Sequence, residues 1–258
     1  MLLDSVAIGP SPPYNLSSGQ PMPRNKKAKT KRSQKGPSPS SCVDRGLKRR
    51  FQIRLLKWYQ EYGRDLPWRR TTDPYKILVS EVMLQQTQVD RVIPKYHEFL
   101  QQYPSVKDLA LAKPDEVRKT WYPLGYNIRP YRLHGIACET VERYGGTIPK
   151  DPDELQSLKG IGRYTAGAVR SFAFNEDAPI LDTNVMRVLH RVFIGEGDPK
   201  EQKAKLWVMS ENLIPKGKGY DFNQALMDFG AMVCTARKPY CLLCPMREFC
   251  QAFPVGAK

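Results

Sequence analysis

Four cysteines lie close together near the end of this 258-residue chain, and they constrain its fold more than any other feature. They follow the pattern Cys-x6-Cys-x2-Cys-x5-Cys, at Cys234, Cys241, Cys244 and Cys250. Four thiolates from one short loop can bind a structural zinc ion or an iron–sulfur cluster, and the spacing by itself leaves both open. Two disulfides fit less well, because Asp4 interrupts the apolar start of the chain before a secretory leader can form.

Positive charge is concentrated at the start of the chain. The formal net charge is +15, and residues 1–60 hold most of it, with 13 Lys and Arg against 2 Asp and Glu. Residues 1–44 are rich in Pro, Ser and Lys, which predicts a disordered basic arm. Such an arm can attract a polyanion in a salt-sensitive way, act as a targeting signal or be an inert tail, and the sequence leaves these three open. No apolar run approaches the length of a membrane span, so no membrane partner is expected.

Helical signals dominate residues 45–253. Asp73 followed by Pro74 predicts a helix start, and apolar residues from Tyr75 to Val89 predict one helical face beyond it. Residues 151–154 form a capping box, which predicts a short helix ending at Gly160. Asp182 is predicted to cap a further helix. Because no segment shows the alternating pattern and turn residues typical of β-strands, the predicted class is all-α.

A glycine-punctuated hairpin is predicted at residues 158–165, between two helices. Backbone N–H groups at the start of the second helix favour an anion such as a phosphate. Gly160 and Gly162 would let a nucleic-acid backbone approach closely, because they have no Cβ. A simple tight turn is the alternative, since a lone Gly-x-Gly is weak evidence. Asp182 follows about twenty residues later, at a predicted helix start.

Several longer motifs follow one another along the chain, at residues 66–69, 73–88, 125–126, 160–168 and 180–185 and in the cysteine loop. In sequence and in order they resemble the MutY-type adenine DNA glycosylases of the helix–hairpin–helix/endonuclease III superfamily. The resemblance covers roughly residues 50–253. It implies a two-lobed helical glycosylase fold, with a six-helix-type lobe over about 73–180, a second lobe from about 45–72 and 181–253, and a short tail at 254–258.

The same resemblance implies the cofactor and the partner. It implies a four-iron four-sulfur cluster on the four cysteines, a monomeric protein, and double-stranded DNA containing a mismatch or an oxidised base. The location would be inside the cell with the DNA, in the cytoplasm or nucleoid of a prokaryote or the nucleus of a eukaryote. Only eight residues follow Cys250, so the second, MutT-like domain of typical members is not expected.

Cleavage of a purine from deoxyribose requires two acids. One protonates the leaving base, and a carboxylate stabilises the sugar cation. Glu81 and Asp182 suit these roles, and apolar neighbours of Glu81 favour its protonated form. The resemblance assigns the same roles and adds Asn184 as a residue that holds the reacting groups. It also places Tyr164 where bifunctional relatives have lysine, which implies a monofunctional enzyme because a phenol cannot form a Schiff base.

The remaining predicted residues contact DNA. The resemblance implies that Gln86 and Tyr126 enter the base stack when the target base is extruded. It also implies that the exposed cations of the cysteine loop contact the DNA backbone; the candidates are Arg237, Lys238 and Arg247.

Two alternatives to an adenine glycosylase remain open. Thymine- or uracil-DNA glycosylases that act on G:T or G:U mismatches are similarly short, share the cluster and have tyrosine at the hairpin. A non-catalytic binder of damaged DNA is the alternative from another class. The presence of both Glu81 and Asp182 argues against that binder, because binding alone does not require paired acids.

Overall fold

The computed structural model describes residues 43–126 and 128–254, and these form helices and connecting loops without a β-strand. The all-α prediction is confirmed. Nearly all of the predicted basic arm at 1–44 and most of the tail at 254–258 lie outside the described residues. Within the described part, no helix is long and apolar enough to cross a membrane.

Eleven α-helices are found in this described part of the chain. They are α1 (Arg45–Tyr62), α2 (Pro74–Met83), α3 (Val89–Gln102), α4 (Val106–Leu111), α5 (Pro114–Trp121), α6 (Ile128–Tyr144), α7 (Pro152–Ser157), α8 (Arg163–Ala173), α9 (Thr183–Phe193), α10 (Lys203–Leu213) and α11 (Gly219–Met232). Single 3-10 turns lie at Pro67–Arg69, Cys241–Leu243 and Arg247–Phe249.

The helices pack in two groups. In one group α2 packs against α3, α6 and α8, while α4 and α5 cover α6. In the other, α9 and α1 pack against α11, and α10 covers α9. Fully buried aromatic side chains fill both groups, for example Trp121 in the first and Phe51 against Phe222 in the second. Helices α8 and α11 contact each other and join the two groups.

Aspartate caps begin the helices that matter for the site, as predicted. Asp73 accepts a hydrogen bond from the Tyr75 amide at the start of α2, and Asp182 accepts one from the Val185 amide at the start of α9. Each aspartate satisfies an N–H group that has no partner within its helix.

Two predicted helix ends were wrong. The face predicted from Tyr75 to Val89 is split between two helices, because α2 ends at Met83 and Val89 begins α3. Gln86 lies between them with a φ of 56°, in the left-handed region that no α-helix can contain. Likewise α7 ends at Ser157, and Gly160, with a φ of 116°, belongs to the hairpin beyond it.

Candidate functional site

A cavity of about 920 Å³ lies where α2, α8, α9 and α11 meet. Five of the predicted site residues line it together: Glu81, Gln86, Tyr164, Asp182 and Asn184. Apolar side chains such as Trp68 and Leu181 cover much of the remaining wall. The cavity therefore combines a few polar groups with an apolar lining, which is the usual composition of a small-molecule or nucleobase site.

Glu81 is the most buried acid of the cavity, with 4% of its surface exposed. Burial raises the pKa of its carboxyl from 4.5 to about 7, and the negative charge of Asp182 adds to the rise. The nearby Tyr164 hydroxyl and the Arg69 guanidinium oppose it more weakly. A large fraction of Glu81 is therefore protonated at neutral pH and able to donate a proton.

Asp182 has a different environment, although it faces the same cavity. Its Oδ1 accepts from the Val185 amide at 2.6 Å, and its Oδ2 accepts from Nδ2 of Asn184 at 3.1 Å. Burial raises the pKa of this carboxyl, whereas the hydrogen bonds and the charge of Arg187 favour the ionised form. Glu81 thus has one hydrogen-bond donor, the Tyr164 hydroxyl, whereas Asp182 has donors from Val185 and Asn184, and such a difference in environment is how two carboxyl groups take different roles.

Arg187 fixes the position of Asn184 and was missed by the sequence analysis. Its guanidinium donates to Oδ1 of Asn184 at 2.8 Å, to the Gly230 carbonyl at 2.7 Å and to the Cys234 carbonyl at 2.8 Å. Its position one helical turn after Asn184 was the available signal, because residues three apart share a helix face. The partners on α11 and in the cysteine loop are too distant in sequence to be expected.

A buried ion-pair network forms another wall of the cavity. Asp228 on α11 is fully buried and binds the side chains of Arg64 and Arg69. Burial would raise the pKa of Asp228, but the hydrogen bonds and charge of Arg69 outweigh it and hold the pKa below its usual value. Both arginines line the cavity. The motif at 66–69 was part of the family resemblance, but this role was not predicted.

Tyr164 lies in the first turn of α8, and its hydroxyl donates to Sδ of Met227 at 3.6 Å. Burial and the charges of Glu81 and Asp182 raise the pKa of this phenol well above its usual value. The hydroxyl therefore stays protonated between the two acids. It provides no amine to the cavity.

The predicted DNA contacts lie outside the cavity, apart from Gln86. Gly162 precedes α8 without any side chain capping that helix, so its first N–H groups remain free for an anion. Tyr126 is 57% exposed and, like Gln86, has a positive φ. Arg237 and Lys238 are exposed on the cysteine loop. The structure therefore leaves these side chains accessible.

The four loop cysteines border one apolar cavity of their own, below α9 and α11. None of the cysteines in the described residues forms a disulfide. The Arg191 guanidinium donates to Sγ of Cys234 at 3.6 Å, and the Met246 amide donates to Sγ of Cys244 at 3.4 Å. Among the described residues, no three His, Cys, Asp or Glu side chains converge tightly enough for one metal ion. Four thiolates from one loop suit either an iron–sulfur cluster or a tetrahedral zinc ion.

Family models match both the cavity region and the cysteine loop. The model for HhH-GPD superfamily base excision DNA repair proteins matches residues 79–211, which include Glu81, Tyr164 and Asp182. The chain belongs to the HhH-GPD superfamily. The iron–sulfur binding domain of endonuclease III matches residues 234–250 of this HhH-GPD protein. The predicted helix–hairpin–helix fold and the predicted four-iron four-sulfur cofactor are thereby confirmed, and the matched range contains the four cysteines predicted as its ligands.

Relatives of this HhH-GPD protein include adenine DNA glycosylases and thymine-DNA glycosylases. The adenine DNA glycosylase of Mus musculus is 42% identical over 214 residues, which cover 79% of this chain and 42% of that protein. The thymine-DNA glycosylase of Aeropyrum pernix is 39% identical over 215 residues, covering 81% of this chain and 96% of that protein. A solved structure described as a thermostable thymine-DNA glycosylase superposes with a TM-score of 0.76 at 36% identity, covering 81% and 97% of the two chains. The chain thus spans about two fifths of the length of its mouse relative.

Proposed function

We propose that this protein is a monofunctional DNA glycosylase that removes adenine opposite guanine or 8-oxoguanine and leaves an abasic site. The observation that carries the proposal is the pair of acids in one cavity: burial raises the pKa of Glu81 to about 7, whereas at Asp182 hydrogen bonds from the Val185 amide and Asn184 oppose the rise in pKa that burial causes. Proton donation to the base and stabilisation of a sugar cation require that division of roles.

The reaction proceeds by hydrolysis. The Glu81 carboxyl donates its proton to a ring nitrogen of the extruded adenine, and the bond between the base and C1′ of the sugar breaks with its electron pair going to the base. The Asp182 carboxylate stabilises the oxocarbenium-like sugar that remains. Water then adds to C1′, and its proton passes to the Glu81 carboxylate, which restores the starting state.

Tyr164 sets the outcome for the DNA strand. Strand cleavage by relatives with a catalytic lysine requires an amine that attacks C1′ and forms a Schiff base. The phenol of Tyr164 cannot form that bond, and its raised pKa keeps it a neutral hydroxyl. In this proposal Tyr164 orients the sugar or Asp182. The product is therefore an intact strand with an abasic site.

Adenine is favoured over thymine by the chemistry of Glu81. An acid with a pKa of about 7 is suited to protonating a purine ring nitrogen, whereas thymine leaves without ring protonation by this residue. The second candidate is thymine or uracil opposite guanine. It is favoured by the Aeropyrum pernix relative, of whose length the match covers 96%.

Duplex DNA would contact both the hairpin and the cysteine loop. We propose that Gly160 and Gly162 admit a phosphate to the start of α8, that the exposed Arg237 and Lys238 contact the backbone, and that the protein acts as a monomer wherever cellular DNA is located. The cluster holds the cysteine loop in place when bound. The basic arm at 1–44 would add salt-sensitive attraction.

A panel of duplexes tests the proposal. Adenine, thymine or uracil is placed opposite guanine or 8-oxoguanine, and abasic sites are scored after alkali under single-turnover conditions. We expect adenine opposite 8-oxoguanine or guanine to react fastest. Excision of thymine with adenine untouched would instead establish the second candidate. Binding without excision of any base would support the non-catalytic binder.

A further inference from the structure

Arg129, in the first turn of α6, has a buried guanidinium without a carboxylate partner among the described residues. Only 3% of its surface is exposed, and no ion pair involves it in this part of the chain. The guanidinium instead donates six hydrogen bonds to uncharged oxygens. Burying a cation without a paired anion is costly, and these six hydrogen bonds offset that cost while they tie the acceptor segments to one side chain.

Three of the six acceptors lie at the end of the helix that carries Glu81. Nη1 of Arg129 donates to the carbonyls of Val82 at 3.2 Å, Met83 at 2.8 Å and Gln85 at 2.6 Å. The last carbonyls of a helix have no partner within it and form the negative end of its dipole. Arg129 therefore caps this helix with a positive charge directly beyond the catalytic acid.

The other three acceptors lie in the loops that hold the two proposed intercalating residues. Nη2 of Arg129 donates to Oγ1 of Thr87 at 3.0 Å and to the carbonyls of Leu124 and Gly125 at 3.1 Å each. The Tyr126 ring also packs against the guanidinium, with 5.3 Å from Cζ to the ring centroid. One side chain thus bonds to residues on either side of Gln86 and to the residue before Tyr126.

Both intercalating residues have strained backbones. Gln86 has a φ of 56° and Tyr126 a φ of 50°, in the left-handed region that favours glycine. A non-glycine residue stays there only where surrounding contacts offset the cost. The bonds of Arg129 to the neighbouring carbonyls and to Thr87 are such contacts.

We infer that Arg129 is a positioning residue, which locks the Gln86 loop and the Tyr126 loop to each other and to the end of the helix that bears Glu81. The two intercalating residues and Glu81 are then held in their working positions by the same side chain before DNA binds. This inference rests on the proposed function. Lysine cannot substitute, because an ammonium is a compact point charge, whereas the planar guanidinium spans acceptors on two sides.

Hydrogen–deuterium exchange of the DNA-free holoprotein tests the inference without reference to activity. The variants are Arg129→Lys and Arg129→Met, with Arg118→Met as a matched control on the exposed face of α5. We expect faster exchange at residues 84–87 and at 124–126 together, with α9, α11 and the visible absorption of the cluster unchanged. Acceleration of only one loop, of neither loop or of the whole chain would overturn the inference.

A comparison of two substrates separates positioning from a general structural loss. Adenine opposite 8-oxoguanine must be unpaired before it reacts, whereas adenine opposite an abasic site is already unpaired and is extruded at less cost. Arg129→Lys should slow single-turnover excision by about tenfold on the first substrate and by less than about threefold on the second. An equal loss on both would overturn the inference. If the wild type excises neither, the proposed function fails, and the exchange measurement still decides the role of Arg129.

Discussion

Replacing Glu81 with glutamine should make the protein more stable, by an amount that grows with pH. The carboxyl has a pKa of about 7 in the folded protein, against an ordinary value of 4.5. The folded state therefore binds this proton more tightly than the unfolded state, so the wild type loses stability as pH rises from about 4.5 through about 7. Glutamine does not ionise, so the variant does not lose stability in this way as pH rises.

The magnitude follows from the pKa difference. Because one pKa unit corresponds to about 1.36 kcal/mol, the rise from 4.5 to about 7 corresponds to about 3 kcal/mol against the charged form. With 4% of the residue exposed, solvent screening reduces this little. The advantage of Glu81→Gln should thus increase from about 1 kcal/mol at pH 5 to about 3 kcal/mol at pH 8.

Urea unfolding under anaerobic conditions at pH 5 and pH 8, followed by far-ultraviolet circular dichroism, measures this change. Glu139→Gln is the control. The Lys159 amide and Arg143 hold the pKa of Glu139 below its usual value. The stability that Glu139 contributes is therefore present above its ordinary pKa and changes little between pH 5 and pH 8. A difference between Glu81→Gln and wild type that is the same at both pH values would refute the desolvation of Glu81.

Three further predictions concern other parts of the site. Because Tyr164 has no amine, borohydride should trap no covalent enzyme–DNA adduct during turnover. Efficient strand cleavage without alkali would contradict the proposal that the enzyme is a monofunctional glycosylase. A Cβ on Gly230 would lie 2.8 Å from Cβ of Asn184, so Gly230→Ala should slow single-turnover excision by about tenfold, whereas Gly135→Ala, whose Cβ meets nothing within 4 Å, should not. Asp228→Asn leaves the buried Arg69 and the half-buried Arg64 without a carboxylate and should lower the free energy of unfolding by about 3 kcal/mol, measured in urea; a loss near zero would show that this network is not stabilising.

Local signals were sufficient to predict much of this molecule. The caps at Asp73 and Asp182 depend only on the few residues that follow them, and the apolar neighbours of Glu81 lie within one helical turn. The all-α class follows from the same kind of signal. The cysteine spacing narrowed the cofactor to zinc or iron–sulfur, and the family match decided between them.

The unpredicted features all depend on distant partners or on backbone geometry. Arg129 bonds to residues more than forty positions earlier, and Arg187 to residues more than forty positions later. Asp228 pairs with Arg64 across 164 positions. The break after Met83 arises from a glutamine in the left-handed region, where residue type alone would predict a continuing helix.

Single-turnover excision of adenine opposite 8-oxoguanine by Glu81→Gln and Asp182→Asn, with DNA affinity measured in parallel, tests the paired-acid mechanism most directly. Each variant should react at least about a hundredfold more slowly than wild type, the low end for loss of acid catalysis or charge stabilisation. DNA binding should persist in both variants, and Asp182→Asn should bind at least as tightly, because it removes a negative charge from the site. Excision by either variant at close to the wild-type rate would contradict the division of roles between Glu81 and Asp182.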